Sequence, residues 1–171
     1  MRRLAALAFA CVLLPLHAAA REGDNVEAAA GDLRIIHLWS NDPEGFLEAW
    51  SGPTPPNLPT TSRAIRNQPV QQFILYVNCT PNEAGNCLLT ARATITAPDG
   101  TPYGEPMAFT ALPASPPVPR NNIGLAPNSI GLRIEDGEQL GEYRIDLAVT
   151  DEHAGVTATS TVHLEAVEAE P

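Results

Sequence analysis

The sequence predicts an all-β domain, an antiparallel sandwich or barrel, from three observations. Apolar and polar residues alternate in short runs along most of the chain, which is the period of a half-buried strand. Turn residues, with Asp99-Gly100 and Asp136-Gly137 the clearest, separate those runs. One stretch, Pro43 to Trp50, has helical character. About seven short strands with almost no helix favour packed antiparallel sheets.

The chain has 171 residues and opens with Met1-Arg2-Arg3, followed by a nearly unbroken apolar run from Leu4 to Leu16. Ala18-Ala19-Ala20 then supplies the small residues that a signal peptidase needs just before its cut. Residues 1–20 are expected to be a secretory signal peptide removed after Ala20. The apolar run of about thirteen residues is too short to span the ~30 Å of a bilayer core. Cys11 follows Ala8-Phe9-Ala10, loosely like the box before a lipidated cysteine. The apolar run continues past it through Val12-Leu13-Leu14, and the bulky Phe9 occupies a small-residue position, so no lipid anchor is expected. The expected address is periplasmic or secreted, with no membrane insertion once the leader is gone.

The remaining chain contains no lysine, and 8 Arg face 20 Asp and Glu, a formal charge of −12. Nucleic acid is excluded as a partner, because binding its backbone needs a basic stripe that releases counterions. An anionic membrane surface is disfavoured for the same reason. Arginine without lysine, with abundant Ala and Pro, suggests a high-GC bacterial coding bias and hence the periplasm.

Residues 21–31, acidic and Ala-rich, are expected to be a flexible lead-in, and 168–171 a tail. Between them, 32–167 should form one domain, with an N-terminal arm at 32–66 and a sandwich core at 70–167. The arm begins with a strand-like run, Leu33 to Trp39. Asp42-Pro43-Glu44 offers an N-cap, a first-turn proline and a first-turn acid, so a short helix should run to Trp50, weakened by Gly45. Pro53, Pro55, Pro56 and Pro59 then keep Ser51 to Thr61 out of a central sheet. That segment should be extended and polyproline-like on the surface.

From Val70 the pattern is β. Phe73, Leu75 and Val77 alternate with Gln72, Ile74 and Tyr76. Leu89, Ala91, Ala93 and Ile95 alternate with Thr90, Arg92, Thr94 and Thr96. Met107 to Leu112 is a short strand before the Pro-rich Pro113 to Pro119, and Ile130, Leu132 and Ile134 alternate around Arg133. Tyr143, Ile145, Leu147 and Val149 form the next apolar face. Val156, Ala158, Val162 and Leu164 form the last, opposite Thr157, Thr159, Thr161 and His163. Cys79 and Cys87 survive processing and should pair in an oxidising compartment, stapling a β-hairpin across the turn residues Thr80 to Asn86. Closing so short a loop restricts the unfolded chain by roughly 2–3 kcal/mol. The two cysteines lack the close spacing beside a helix that a redox role requires.

The stretch Asp136-Gly137-Glu138-Gln139-Leu140-Gly141-Glu142-Tyr143 resembles the corner before the penultimate strand of bacterial immunoglobulin-like domains. The resemblance, covering roughly Val70 to Val167, implies an immunoglobulin-like β-sandwich in which the Tyr143 hydroxyl bonds back to the preceding backbone. It departs from true immunoglobulins in lacking a cysteine pair between sheets. Such folds host unrelated activities, so the resemblance implies little about chemistry. The cysteine hairpin and the Trp-bearing arm also look like those of uncharacterised secreted proteobacterial proteins.

Few residues suggest catalysis, and no enzyme activity or cofactor is expected. The mature chain has only His37, His153 and His163, and no Gly-x-Ser-x-Gly elbow. His153 and His163 sit about 30 Å apart along one strand, too far to share a metal ion. Glu135, Asp136 and Glu138 would share an end of the sandwich with Asp99 and Glu105, a loose case for calcium without any calcium-loop spacing. Acidic turns of this kind are usually just solvated. Asn78-Cys79-Thr80 fits the N-glycosylation pattern, which matters only in a eukaryotic host. Trp39, Phe46 and Trp50 gather large aromatics in the arm, either buried over an end or edge of the sandwich or exposed for recognition. Trp39 should be buried, and Trp50 with Pro53, Pro55 and Pro56 is the candidate binding surface. The expected function is an exported binding or structural accessory domain of the bacterial cell envelope, with a protein or glycan partner. The alternatives are an inhibitor or subunit of an envelope complex, and a calcium- or carbohydrate-binding module.

Overall fold

A computed structural model describes residues 26–52 and 57–169. In chain order they form β1 (Glu27–Ala30), β2 (Leu33–Ser40), α1 (Pro43–Trp50), β3 (Arg63–Ile65), β4 (Val70–Val77) and β5 (Cys87–Thr96). There follow β6 (Met107–Ser115), β7 (Gly124–Leu125), β8 (Gly131–Leu132), β9 (Gly141–Asp151) and β10 (Val156–Val167). The first sheet has the order β1-β2-β4-β7, with β8 also on β4; the second has the order β3-β10-β9-β5-β6. Every pairing is antiparallel except β3 with β10. The two sheets pack face to face as an all-β sandwich. It has more strands than the seven or so expected, because β1, β3 and β7 are each too short to show an alternation.

The long strands of the second sheet follow the sequence pattern closely. Leu89, Ala91, Ala93 and Ile95 of β5 are buried, as are Tyr143, Ile145, Leu147 and Val149 of β9 and Ala158, Val162 and Leu164 of β10. In β4, by contrast, Phe73, Ile74, Leu75 and Tyr76 are all buried. Ile74 and Tyr76 face the other sheet, whereas Phe73 and Leu75 lie under α1. Phe46 of α1 stacks on Phe73 with ring centroids 3.7 Å apart. The arm therefore covers the outer face of the first sheet rather than an open end or edge.

Helix α1 begins as the sequence predicts, with Asp42 as N-cap accepting from the Gly45 amide at 3.0 Å. Gly45 is compatible with this cap because a Cβ there would collide with the Asp42 carboxylate. The residue that lowers helix propensity is the one that makes room for the capping group.

Two expectations from the sequence are corrected. Cys79 and Cys87 are bonded, with Cα atoms 5.9 Å apart, but they do not staple a hairpin. β4 pairs with β2, β7 and β8, and β5 pairs with β6 and β9, so the strands flanking the bridge belong to different sheets. Asn78, at φ 57°, turns the chain away from β4, and the bridge ties the crossover between sheets. Buried Asp151 fixes the same loop, its carboxylate accepting from the Thr80 amide at 2.6 Å and from the His153 and Ala154 amides at 3.1 Å. The lead-in is corrected as well. Glu27–Ala30 is not a loose segment but an edge strand on β2, with Ala28 and Ala30 packed against the core. Its small side chains carry too weak a pattern to be read as a strand. The arm is likewise part of the sandwich, since β2 and β3 are members of the two sheets.

The tyrosine corner forms as the resemblance implied. The buried Tyr143 donates its hydroxyl to the Gln139 carbonyl at 2.9 Å, and Tyr103 meets its ring edge-on at 5.3 Å. Tyr143→Phe should therefore lower stability by about 1 kcal/mol or more, since the Gln139 carbonyl loses its buried donor. An unchanged denaturation midpoint would contradict that role.

Candidate functional site

Four regions carry residues with chemical potential, and two of them, the acidic corner and the His37 cluster, are committed to holding the fold. The acidic corner is one. The Glu138 carboxylate accepts from the Tyr103 hydroxyl at 2.8 Å and from the Glu135 amide at 2.6 Å. Asp136 accepts from the Asn67 side chain at 2.9 Å, and Asp99 accepts from Thr101 and from Gln139. The Asp99 turn and the Glu135–Glu138 corner do share an end, but the carboxylates of Asp99, Asp136 and Glu138 are spent on neighbouring donors. Burial, then the hydrogen bond to Glu138, pushes the Tyr103 hydroxyl well above its ordinary pKa. Among the described residues no group of three His, Cys, Asp or Glu side chains is placed to hold a metal ion.

The arm is the second region. Trp39 is 2 % exposed and belongs to the core cluster of Val70, Leu132, Ile134 and Tyr143. Trp50 is half-buried against Phe46, Phe73 and Leu75, while Leu47 beside it is 47 % exposed. Pro53, Pro55 and Pro56, the other residues of the expected binding surface, lie outside the described residues.

The third region is a buried polar cluster around His37. Period-two alternation puts Leu33, Ile35, His37 and Trp39 on the inner face of β2, so the imidazole enters the core. Its Nε2 accepts from the Trp39 indole N–H at 3.0 Å and faces the Gln72 amide nitrogen at 2.8 Å. With Nε2 an acceptor, Nδ1 carries the proton and donates to the Ser160 hydroxyl at 3.1 Å. The cluster links β2 and β4 of one sheet to β10 of the other. Burial lowers the His37 pKa from 6.5 to about 3, which keeps the ring neutral. Protonation would also point a new N–H at two existing donors.

The fourth region is the outer face of the second sheet. Nothing in the described chain covers it as α1 covers the first sheet. Its residues stand in cross-strand rows fixed by the register. Thr110, Thr90, Thr150 and Thr157 form one row across β6, β5, β9 and β10. Ala108, Arg92, Ala148 and Thr159 form the next. Thr94, Asp146 and Thr161 follow, and then Thr96, Arg144 and His163. Thr150 and Thr157 share a hydrogen bond at 2.8 Å, and Asp146 accepts from Thr161 at 2.6 Å and pairs with Arg144 at 2.9 Å. Arg92 is exposed and makes no ion pair or hydrogen bond among the described residues. A shallow trough of about 490 Å³ lies over Thr90, Arg92, Ala108, Thr110, Ala148 and Thr150. The sequence set Thr90, Thr94, Thr96, Thr157, Thr159 and Thr161 opposite the apolar faces of β5 and β10, but only the strand register adds Thr110 and Thr150 and brings them into rows.

The sandwich and its tyrosine corner define an immunoglobulin-like β-sandwich. The C-terminal domain of wzt is similar to it, with a TM-score of 0.50 and 12 % identity over 88 % of this chain and 84 % of that one. Two more distant structures are the CARDB domain of a Pyrococcus furiosus protein in complex with di-metal ions and a Niemann-Pick type C2 protein from Japanese carpenter ant. Their TM-scores are 0.41 and 0.39, at 12 % and 10 % identity, covering 90 % and 85 % of this chain and 100 % and 96 % of theirs. No family model matches the chain, and no curated protein matches it in sequence. Among the described residues no helix is long and apolar enough to cross a membrane.

Proposed function

We propose that this chain is an exported, non-enzymatic binding or structural accessory domain of the bacterial cell envelope. The observation that carries the reading is the asymmetry of the sandwich. One sheet is covered by α1, whereas the other leaves a broad polar face open. Such a face gives a partner a rigid platform of preset side chains, which lowers the entropic cost of recognition. The Cys79–Cys87 bridge suits an oxidising compartment, and the sequence of residues 1–20 suits a leader that delivers the chain there. The proposed domain limits are 32–167, and the β1 strand at Glu27–Ala30 supports a start a few residues earlier. The half-buried Trp50 and exposed Leu47 favour a second contact surface on α1. An inhibitor or complex subunit would use that second surface.

Expression of the full chain in a bacterial host with fractionation tests this reading. The periplasmic or secreted protein should have an intact mass that starts near Arg21, with no free thiol and no acyl group. It should also co-sediment with isolated envelope fragments. An uncleaved or acylated chain would overturn the localisation, and a mature chain that never sediments would overturn the envelope role.

A further inference from the structure

We infer that the open face of the second sheet binds an uncharged polysaccharide laid across β6, β5, β9 and β10. This inference rests on the accessory-domain reading above and supplies its ligand class. The row of Thr110, Thr90, Thr150 and Thr157 places a threonine on every strand; Thr90 donates to Glu152, and Thr150 and Thr157 share one bond, so their oxygens keep acceptor capacity beside the methyls. Strands stand ~4.8 Å apart, so the row repeats at an interval close to the length of one pyranose unit. Sugar hydroxyls can both donate to and accept from threonine hydroxyls, and the C–H face of a pyranose ring can rest on their methyls.

The adjoining row supplies a floor and an anchor. Ala108 and Ala148 flank Arg92 across the strands, and these small side chains leave the trough of about 490 Å³ in which a ring can lie. The Arg92 guanidinium is exposed and uncommitted, and its planar fork can donate two parallel N–H bonds to a vicinal diol. Charge selects the uncharged class. The face itself is balanced, Arg92 and Arg144 against Asp146 and Glu152, within a chain that carries a formal −12 beyond the leader, so a polyanion meets no basic stripe to hold it.

The test uses the mature protein and envelope polysaccharide freed of protein, divided into a neutral and a polyanionic fraction. Calorimetry should show saturable binding to the neutral fraction. Arg92→Ala should weaken it at least tenfold, as should the shape-preserving pair Thr150→Val with Thr157→Val, with the denaturation midpoint little changed. A Trp50→Ala variant should bind as the parent does. Binding only to the polyanionic fraction, or equal binding by the parent and the face variants, would overturn the inference. If envelope fragments retain the protein while neither glycan fraction binds, the ligand is a protein, and the accessory role stands without its glycan.

Discussion

Trp39→Ala should lower the free energy of unfolding by about 3–5 kcal/mol, the cost of emptying a buried aromatic site. The ring is 2 % exposed and lies among Val70, Leu132, Ile134 and Tyr143, which are held by separate segments of the chain and cannot collapse freely into the space. The indole N–H also serves the buried His37 imidazole at 3.0 Å, so truncation removes a donor as well as volume. Trp50→Ala should cost clearly less, because that ring, at the end of α1, is only half-buried. Chemical denaturation of the two variants measures the difference. Equal losses at both positions would place Trp50 in the core and remove the proposed second contact surface.

Acid should weaken the fold through His37. The folded pKa of about 3 lies below the ordinary 6.5, so the folded state refuses a proton that the unfolded state accepts. The stabilisation is fully present above about pH 6.5 and declines as the pH falls toward about 3. A shift of that size corresponds to a loss of the order of 5 kcal/mol over the window. Denaturation midpoints followed downward from neutral pH should fall more steeply in the parent than in His37→Gln, which has no titrating ring at this position. The imidazole carbon-bound protons should show no titration above about pH 4 in the folded parent. A titration midpoint close to the ordinary histidine value would contradict the burial argument.

How much of this was legible in the sequence depended on the local environment of each strand. β5, β9 and β10 have one face in the core and one in water, so their alternation gave both the strand and its inward residues. β4 is covered on both faces, and the alternation of Phe73 and Leu75 with Ile74 and Tyr76 had no polar side to reveal its orientation. The polar run Thr80 to Asn86 has the composition of a hairpin turn, but composition does not say which sheet the next strand joins. His37 shares the alternation of Leu33, Ile35 and Trp39, a signal of burial that its polarity hid. The corner around Tyr143 was legible because its hydrogen bond spans only a few residues. The open face was half legible: outward threonines show in the sequence, whereas their rows depend on pairing between distant segments.

Hydroxyl-radical footprinting of the mature protein on isolated envelope fragments tests the proposed contact face most directly. Protection should map to outward residues of β5, β9 and β10, including Arg92, Thr94 and Thr159, while Leu47 and Trp50 stay as reactive as in the free protein. Protection confined to Leu47 and Trp50, with the threonine face unchanged, would contradict the account and move the contact surface to α1.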